Sequence, residues 1–527
     1  MSRPRRVLAR FGVVLLVAAA AGCDTPPALS TGGAPAGPLA VRVDATAPGE
    51  QISPLIRGIN GDWTAEEMSD VGITFVSWGG NGATRFNYLI GHAWNTAADW
   101  EYRNVNHTGT SGDAFREFVD VNVAAGAETR LAVPAIGWIA KNDDPNTCSF
   151  PDGDGGCEPR SADCASPGRI ADPRDTSVES TPEMVATWVE GLLADGVDLH
   201  MIAMDNEPEL WGYTHYDIHP ECTTFEEVLA TYVTYGRAIR EVAADALLAG
   251  PVICCWYDYW GPSIGPADGS DLDIVSWFLE NVRLADEQFG QRTLDVLDLH
   301  YYPQSDGVFD PWNVETAGAT DDDTNALRLR STRSLWDPEY TDESWIGRPV
   351  RFIPRMQELI DEHYPGTELA ITEWNFGAEE TMNGALAIAD VLGVYGREGV
   401  YAAAYWRSPD PQSTGYFAFK MHGNYDGEGA AFVGAVLPCE TSDYDVLGAY
   451  AALDEEAGVV RIMLVNKHAD EVAVELDVVG LDSSTPAERY TYGDGDQAAI
   501  VADTTTLAGL TVPGTSIVVL EIPAAAR

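Results

Sequence analysis

Two glutamates, Glu207 and Glu373, each close a short apolar run. Met201-Ile202-Ala203-Met204 leads into Asp205-Asn206-Glu207-Pro208, and Leu369-Ala370-Ile371-Thr372 leads into Glu373. Runs of this length suit strands buried on both faces, and Pro208, with no N–H for a ladder, ends the first of them. Carboxylates at strand ends sit where barrel and open α/β folds keep their chemistry. Cleaving a glycosidic bond needs two of them, one to protonate the leaving oxygen and one to attack the anomeric carbon or activate water. An acidic residue opening an ordinary loop is the competing reading of Asn-Glu-Pro alone; the second strand-end glutamate shifts the balance. The pair lies 373 − 207 = 166 residues apart, so only a fold can bring it together. Direct attack predicts carboxyl groups about 5–5.5 Å apart, against roughly 6.5–9.5 Å where a water intervenes. Asn206 and Glu207 are neighbours, so both can face one ligand only if the strand ends in a bulge or irregular turn.

Eight short apolar segments carry these ends: 55–59, 73–78, 130–136, 199–204, 247–254, 296–301, 369–372 and 401–406. Helical patterns separate several of them, as at 182–194, where Thr181 caps, Pro182 takes the first turn, and Val185, Trp188, Val189 and Leu192 share a face. Eight such units predict an α/β fold, a closed (β/α)8 TIM barrel over 55–414. After Arg407 the pattern changes to alternating strands without helices, which predicts a C-terminal β-sandwich over 415–527. The strand at 41–54 precedes the barrel and is expected to pair into that sheet.

The first 22 residues read as a signal peptide. Arg3, Arg5, Arg6 and Arg10 precede the apolar run 11–21, which is too short for a comfortable transmembrane helix. Ala20-Ala21-Gly22-Cys23 resembles a lipobox with Cys23 as the lipid-bearing residue; a plain small-residue cleavage site is the alternative. Residues 23–40 form a Pro/Gly/Ala-rich tether. Export follows either way, to the cell surface as a lipoprotein or into the medium. The net charge of −51 becomes −51 − 4 = −55 once the four arginines are removed. A field of that sign repels nucleic acid and anionic lipid, so membrane contact is expected only through Cys23. Of eight cysteines, seven would remain beside a lipidated Cys23, which predicts disulfides and at least one free thiol. The Cys-rich insertion 141–174 contains Asp152-Gly153-Asp154-Gly155, a fragment of a calcium loop without its closing glutamate. Asp152 and Asp154 are therefore the metal candidates, for a structural calcium; a disulfide-stapled acidic loop is the other reading. No cofactor is needed for the chemistry, and a monomer is expected.

Trp78, Trp138, Trp256 and Trp406 fall at or just past strand ends on the same inferred rim, where flat rings could match sugar faces. The stretches WGGNGATRFNY (78–88), DNEPELWGYTHYDIHPE (205–221), DVLDLHYYP (295–303), STRSLWDPEYTDESWI (331–346), PGTELAITEWNFG (365–377) and GALAIADVLGVYGREGVYAAAYW (384–406) together resemble glycoside hydrolase family 44. The resemblance implies retaining, endo-acting hydrolysis of β-1,4-glucans such as carboxymethylcellulose and xyloglucan. It also implies a role for each matching residue. Glu207 would be the general acid/base and Glu373 the nucleophile. Asn206 would bind the sugar 2-hydroxyl; His300 and Tyr302 would form the His-x-Tyr at the end of the sixth strand, with Tyr302 hydrogen-bonding the nucleophile. Asn81 and Arg85 would stand near that carboxylate, and Trp406 would floor a subsite. Trp78 is a substrate-binding candidate from its place on the tryptophan rim, with a core residue as the other reading. Ser77, Tyr88 and Trp374 depart from the family pattern, which has Arg, Trp and Tyr there. These departures and the Cys-rich insertion put the glucan preference in question.

The leading expectation is an exported glycoside hydrolase of the endo-β-1,4-glucanase or xyloglucanase type. Another β-1,4-glycan, mannan or mixed-linkage glucan, is the alternative within enzymes. A non-catalytic glycan-binding surface lipoprotein is the alternative outside them, and it has no need of both carboxylates.

Overall fold

The computed structural model describes residues 37–524 apart from 160, 255, 257–258, 260–272, 311–315 and 494. The signal peptide, Cys23 and most of the tether lie outside the described residues. Among those described, no helix is long and apolar enough to cross a membrane.

All eight expected strands form and close into one parallel barrel: Gly58–Asn60, Phe75–Trp78, Glu128–Val133, Met201–Met204, Leu247–Ile253, Val296–Tyr301, Glu368–Trp374 and Ala402–Trp406. They are buried along nearly their whole length, as strands enclosed by helices must be. Thr181 caps helix Pro182–Ala194 by accepting from Met184 N, with Pro182 in the first turn, where its missing N–H costs nothing.

Two antiparallel-rich sheets follow. One has the order Cys439–Thr441, Leu39–Asp44, Val472–Val479, Leu510–Val512, so the N-terminal strand does join the C-terminal domain. The other has six strands, with Leu447–Asp454, Val459–Asn466 and Ser516–Pro523 in succession. One expectation needs correction. Helix Thr414–Gly423 occupies the end of the span expected for the barrel and the start of that expected for the sandwich, packed on helices Ala65–Val71 and Met382–Arg397 as the barrel's last helix. Nearly every residue of it is buried, so it carries no amphipathic stripe to announce a helix. The change of domain falls after Gly423, not at 414/415.

Helix Met382–Arg397 is the seam between the domains. Tyr450 of the sandwich packs so closely on Gly393 that a Cβ there would stand 2.5 Å from its ring. Three helix residues earlier, the fully buried Asp390 accepts from Tyr444, Tyr450 and Thr332 and pairs with Lys467 Nζ at 2.8 Å. Desolvation of both charges is offset here by several hydrogen bonds, the condition under which a buried pair persists.

The insertion is held by two disulfides, Cys148–Cys157 and Cys164–Cys222. Cys439 is a free thiol. Asp152 caps its own loop, with Oδ1 accepting from Asp154 N at 2.8 Å and Gly156 N at 2.9 Å. Neither Asp152 nor Asp154 belongs to a trio of metal-ligating side chains among the described residues.

Candidate active site

The fourth strand ends irregularly, as the Asn206-Glu207 pairing requires. Asp205 and Glu207 both adopt left-handed backbone, with φ of 72° and 43°. Glu207 N donates to Val252 O at 2.8 Å, and Val252 is itself an extra residue in the fifth strand with φ 59°. Conformations of this kind cost of order 1–3 kcal/mol each and persist where the surroundings fix them. Asp205 supplies that fixing. Its buried carboxyl accepts from Thr84 Oγ1 (2.6 Å), Ala135 N (2.5 Å), Ile136 N (3.1 Å) and Asn206 N (2.8 Å). Burial drives its pKa up to about 6 against the pull of those donors.

Glu207 and Glu373 meet at the carboxyl end of the barrel with His300 between them. Nδ1 of His300 lies 2.8 Å from Glu207 Oε1 and 3.4 Å from Glu373 Oε2, so that nitrogen carries its proton. One oxygen of each glutamate and a His300 nitrogen all lie within 4.8 Å of one another. Tyr302 Oη donates to Glu373 Oε2 at 2.8 Å. Burial drives the Glu373 carboxyl up to about 7 and Glu207 adds to this, while His300, Tyr302 and Arg130 pull it down. Burial alone would lower His300, but Glu373, Glu207 and Asp298 raise it to about 9. Against that charge stands its Nε2, buried without a hydrogen bond. The two glutamates differ in setting, with 14% of the Glu207 side chain exposed and 8% of Glu373. The fold has thus assembled a His/Glu/Glu trio that no spacing in the sequence indicated, with its histidine proton committed to the carboxylates.

Asn206 is beside this pair. Its Oδ1 accepts from Gly80 N at 3.1 Å, which fixes the amide, and its Nδ2 reaches Asn81 Oδ1 at 3.4 Å. Asn81 is turned by Asp99, whose carboxylate accepts from its Nδ2 at 3.3 and 3.1 Å. Trp406 is adjacent: a Cβ on Gly80 would stand 2.5 Å from its ring. Asn375 Nδ2 donates to the Trp406 carbonyl at 2.6 Å, and the Trp406–Arg407 peptide is cis.

Three site expectations do not fit the structure. Arg85 does not go to the glutamates; it is fully buried and paired with Asp217 at 2.8 Å, with Thr176 and Ser177 taking its other amino group. It ties the loop after the second strand to Thr176 and Ser177, just past the Cys-rich insertion, and to Asp217. Trp78 is buried in a cluster with Phe86, Trp94, Phe115 and Phe118 and offers no face to a sugar. Trp256 is likewise core, against Tyr259, Tyr301 and Phe352. The four-tryptophan rim reduces to the half-buried Trp406 and Trp138, the latter with Arg174 over its ring. A period of two places a residue at a strand end but does not say which side it faces once that end is irregular.

The sequence model of glycoside hydrolase family 44 matches residues 93–305. Endoglucanase A of Paenibacillus lautus is 30% identical over 445 residues, covering 80% of this chain and 62% of that enzyme. Among solved structures, CelM2, a bifunctional glucanase-xylanase from a metagenome library, superposes with a TM-score of 0.83 at 30% identity, covering 93% of this chain and 99% of that one. The chain belongs to glycoside hydrolase family 44. A Paenibacillus polymyxa xyloglucanase of family 44 also matches, at 25% identity and a TM-score of 0.79, over 93% of this chain and all of that one. This chain spans only about 62% of the length of the Paenibacillus lautus enzyme.

Family membership gives the departures a setting. Trp374 is fully buried against Tyr395, Tyr405 and Phe419, and Tyr88 stacks on Trp188 with its hydroxyl on Ser180. Both are packing positions. Residues that sequence reasoning passed over are Asp205, Arg130 and Asp298. Arg130 and Asp298 had a signal: a charge inside an apolar strand must find a partner, and these are opposite charges in two such strands.

Proposed function

We propose that this protein is a retaining, endo-acting β-1,4-glucan hydrolase, with xyloglucan and carboxymethylcellulose among its substrates. The observation that carries the reading is the approach of the two strand-end glutamates to within 4.8 Å. An approach that close between one oxygen of each carboxyl suits direct attack on the sugar better than attack through an intervening water. Glu373 attacks the anomeric carbon as Glu207 gives its proton to the leaving oxygen, forming a glycosyl ester. Glu207 then takes a proton from water, the water attacks the anomeric carbon, and Glu373 is released. Asn206 holds the 2-hydroxyl, Tyr302 and His300 steady the Glu373 anion, Asn81 orients Asn206, and Trp406 stacks under the ring. The two carboxyls complete the acid and nucleophile roles, so no metal step enters.

Burial of Glu373 favours the opposite assignment, Glu373 as acid and Glu207 as nucleophile. Tyr302 and His300 both donate toward Glu373, which favours its anion. Substitution on an aryl cellobioside with an activated phenol separates the two. Glu207→Gln should still release phenol, since that leaving group needs no proton, while Glu373→Gln should be dead on every substrate. The reverse pattern exchanges the roles, and an α-anomer formed first from a β-glucan, seen by NMR, removes the retaining mechanism.

The choice among glucan, mannan and mixed-linkage glucan rests on single hydroxyl orientations, and product analysis on a polysaccharide panel decides it. Export rests on the arginine-flanked apolar run at 11–21 and attachment on Cys23; Cys23→Ser should leave the membrane fraction. A monomer is the proposed solution state, to be checked by light scattering.

A further inference from the structure

One layer down from the carboxylates, the barrel interior holds two charges that the reaction does not consume. Arg130 of the third strand and Asp298 of the sixth are buried and meet across the lumen, Nε and Nη2 donating to Asp298 Oδ2 at 3.0 and 2.6 Å. Each is tied to a further strand. Arg130 Nη1 donates to Ser77 Oγ at 3.0 Å, and Asp298 Oδ1 accepts from Thr372 Oγ1 at 2.6 Å. Taking two charges out of water costs several kcal/mol per ion, and an apolar pair is often as stable. Stability alone gives no reason for this one.

Thr372 links the pair to the chemistry. Leu299 faces Ile371 and His300 faces Glu373, so Thr372 is one residue too many in the seventh strand, a bulge. Strict alternation would turn Glu373 away from the side that Thr372 takes; the extra residue lets both enter the lumen. Asp298 holds the bulge by its hydroxyl, and Asn60 Nδ2 holds its carbonyl at 2.8 Å.

We infer that Arg130 and Asp298 are positioning residues: the pair pins the Thr372 bulge so that Glu373 is aimed at the anomeric carbon, and it sets opposite charges beneath the site. The inference rests on Glu373 as the nucleophile. Behind burial, His300, Glu207 and Tyr302, the Arg130 cation favours the Glu373 anion; Asp298, after burial and the two glutamates, favours the His300 cation. The other groups facing them are Glu207 from the fourth strand, Tyr302 from the sixth, and Cys254 at the end of the fifth, beside Tyr302.

The test is the pH profile of kcat/KM on an activated aryl cellobioside for Arg130→Gln, Asp298→Asn and Arg130→Met/Asp298→Leu, with folding followed by circular dichroism. Losing the cation should move the acid limb to higher pH; losing Asp298 leaves the cation unopposed and should move it lower. The double variant leaves no unpaired charge and so should fold. It should keep the wild-type limb but lose kcat on the order of a hundredfold, because an unpinned bulge misplaces Glu373. Single variants whose limbs move together or stay put, or a double variant with wild-type kcat, overturn the inference. If the single variants do not fold, the double variant's kcat decides. Glu373→Gln in the same series reports on the nucleophile separately: activity surviving there removes that assignment whatever the pair does.

Discussion

The Tyr302 hydroxyl donates to Glu373 Oε2 at 2.8 Å, and burial first, then the charges of Glu373 and Glu207, keeps that hydroxyl protonated. A phenol that cannot ionise is a fixed donor, so the bond favours the carboxylate form of its partner. Tyr302→Phe removes it without changing the ring. The Glu373 pKa should rise, so the acid limb of kcat/KM should move to higher pH. A hydrogen bond to a charged group is worth about 1.5–3 kcal/mol, or a loss of roughly ten- to a hundredfold in kcat. An unmoved limb with unchanged kcat would show that the hydroxyl does not serve Glu373.

Gly80 is a hinge between Asn206 and Trp406. Its φ of 78° and the 2.5 Å approach of the Trp406 ring to a would-be Cβ leave no room for a side chain. Gly80→Ala should tilt Trp406 or shift Asn206, at a backbone cost of about 1–2 kcal/mol. Calorimetry with a cello-oligosaccharide in a Glu373→Gln background should show weaker binding. Wild-type affinity would mean that Trp406 is not part of the sugar site.

The two disulfides should contribute unequally. Cys164–Cys222 closes a loop of sequence separation 58, and Cys148–Cys157 one of separation 9. Loop-closure entropy gives about 4 kcal/mol for the first and about 3 for the second. Denaturant titration of Cys164→Ser/Cys222→Ser and Cys148→Ser/Cys157→Ser should rank them in that order. Cys164 N also donates to Gly212 O at 2.9 Å, in the short helix Trp211–Thr214 that follows Glu207, so the first pair should cost activity as well.

His422 is buried on Ala389 O, and desolvation first drives its pKa down to about 3. The unfolded chain takes up a proton near pH 6.5 while the folded one does not, so stability is complete above about 6.5 and is lost as pH falls toward 3. The contribution is on the order of a few kcal/mol. His422→Gln keeps a donor for the carbonyl and cannot titrate, so its unfolding free energy should vary less with pH across that window. A slope equal to wild type would assign the acid sensitivity to other groups.

Sequence by itself determined the barrel, because eight apolar runs separated by helical patterns have one closed arrangement that buries them all. It determined the two glutamates for the same reason: a carboxylate after such a run lies at the barrel mouth whatever surrounds it. Helix Thr414–Gly423 escaped because a helix buried on all sides has no periodicity to read. Tertiary structure alone decided which strand-end residues face the barrel mouth. Trp78 and Arg85 stand in the same motif as Asn81, yet one is core and one is paired with Asp217. Glu373 and Glu207 face each other because a bulge at Thr372 and left-handed residues at Asp205 and Glu207 break the alternation that sequence patterns assume. Those breaks are held by contacts across the barrel, from Asp298, Asn60 and Val252, between residues up to 312 positions apart. No local pattern can encode a conformation whose cost is met by partners that distant.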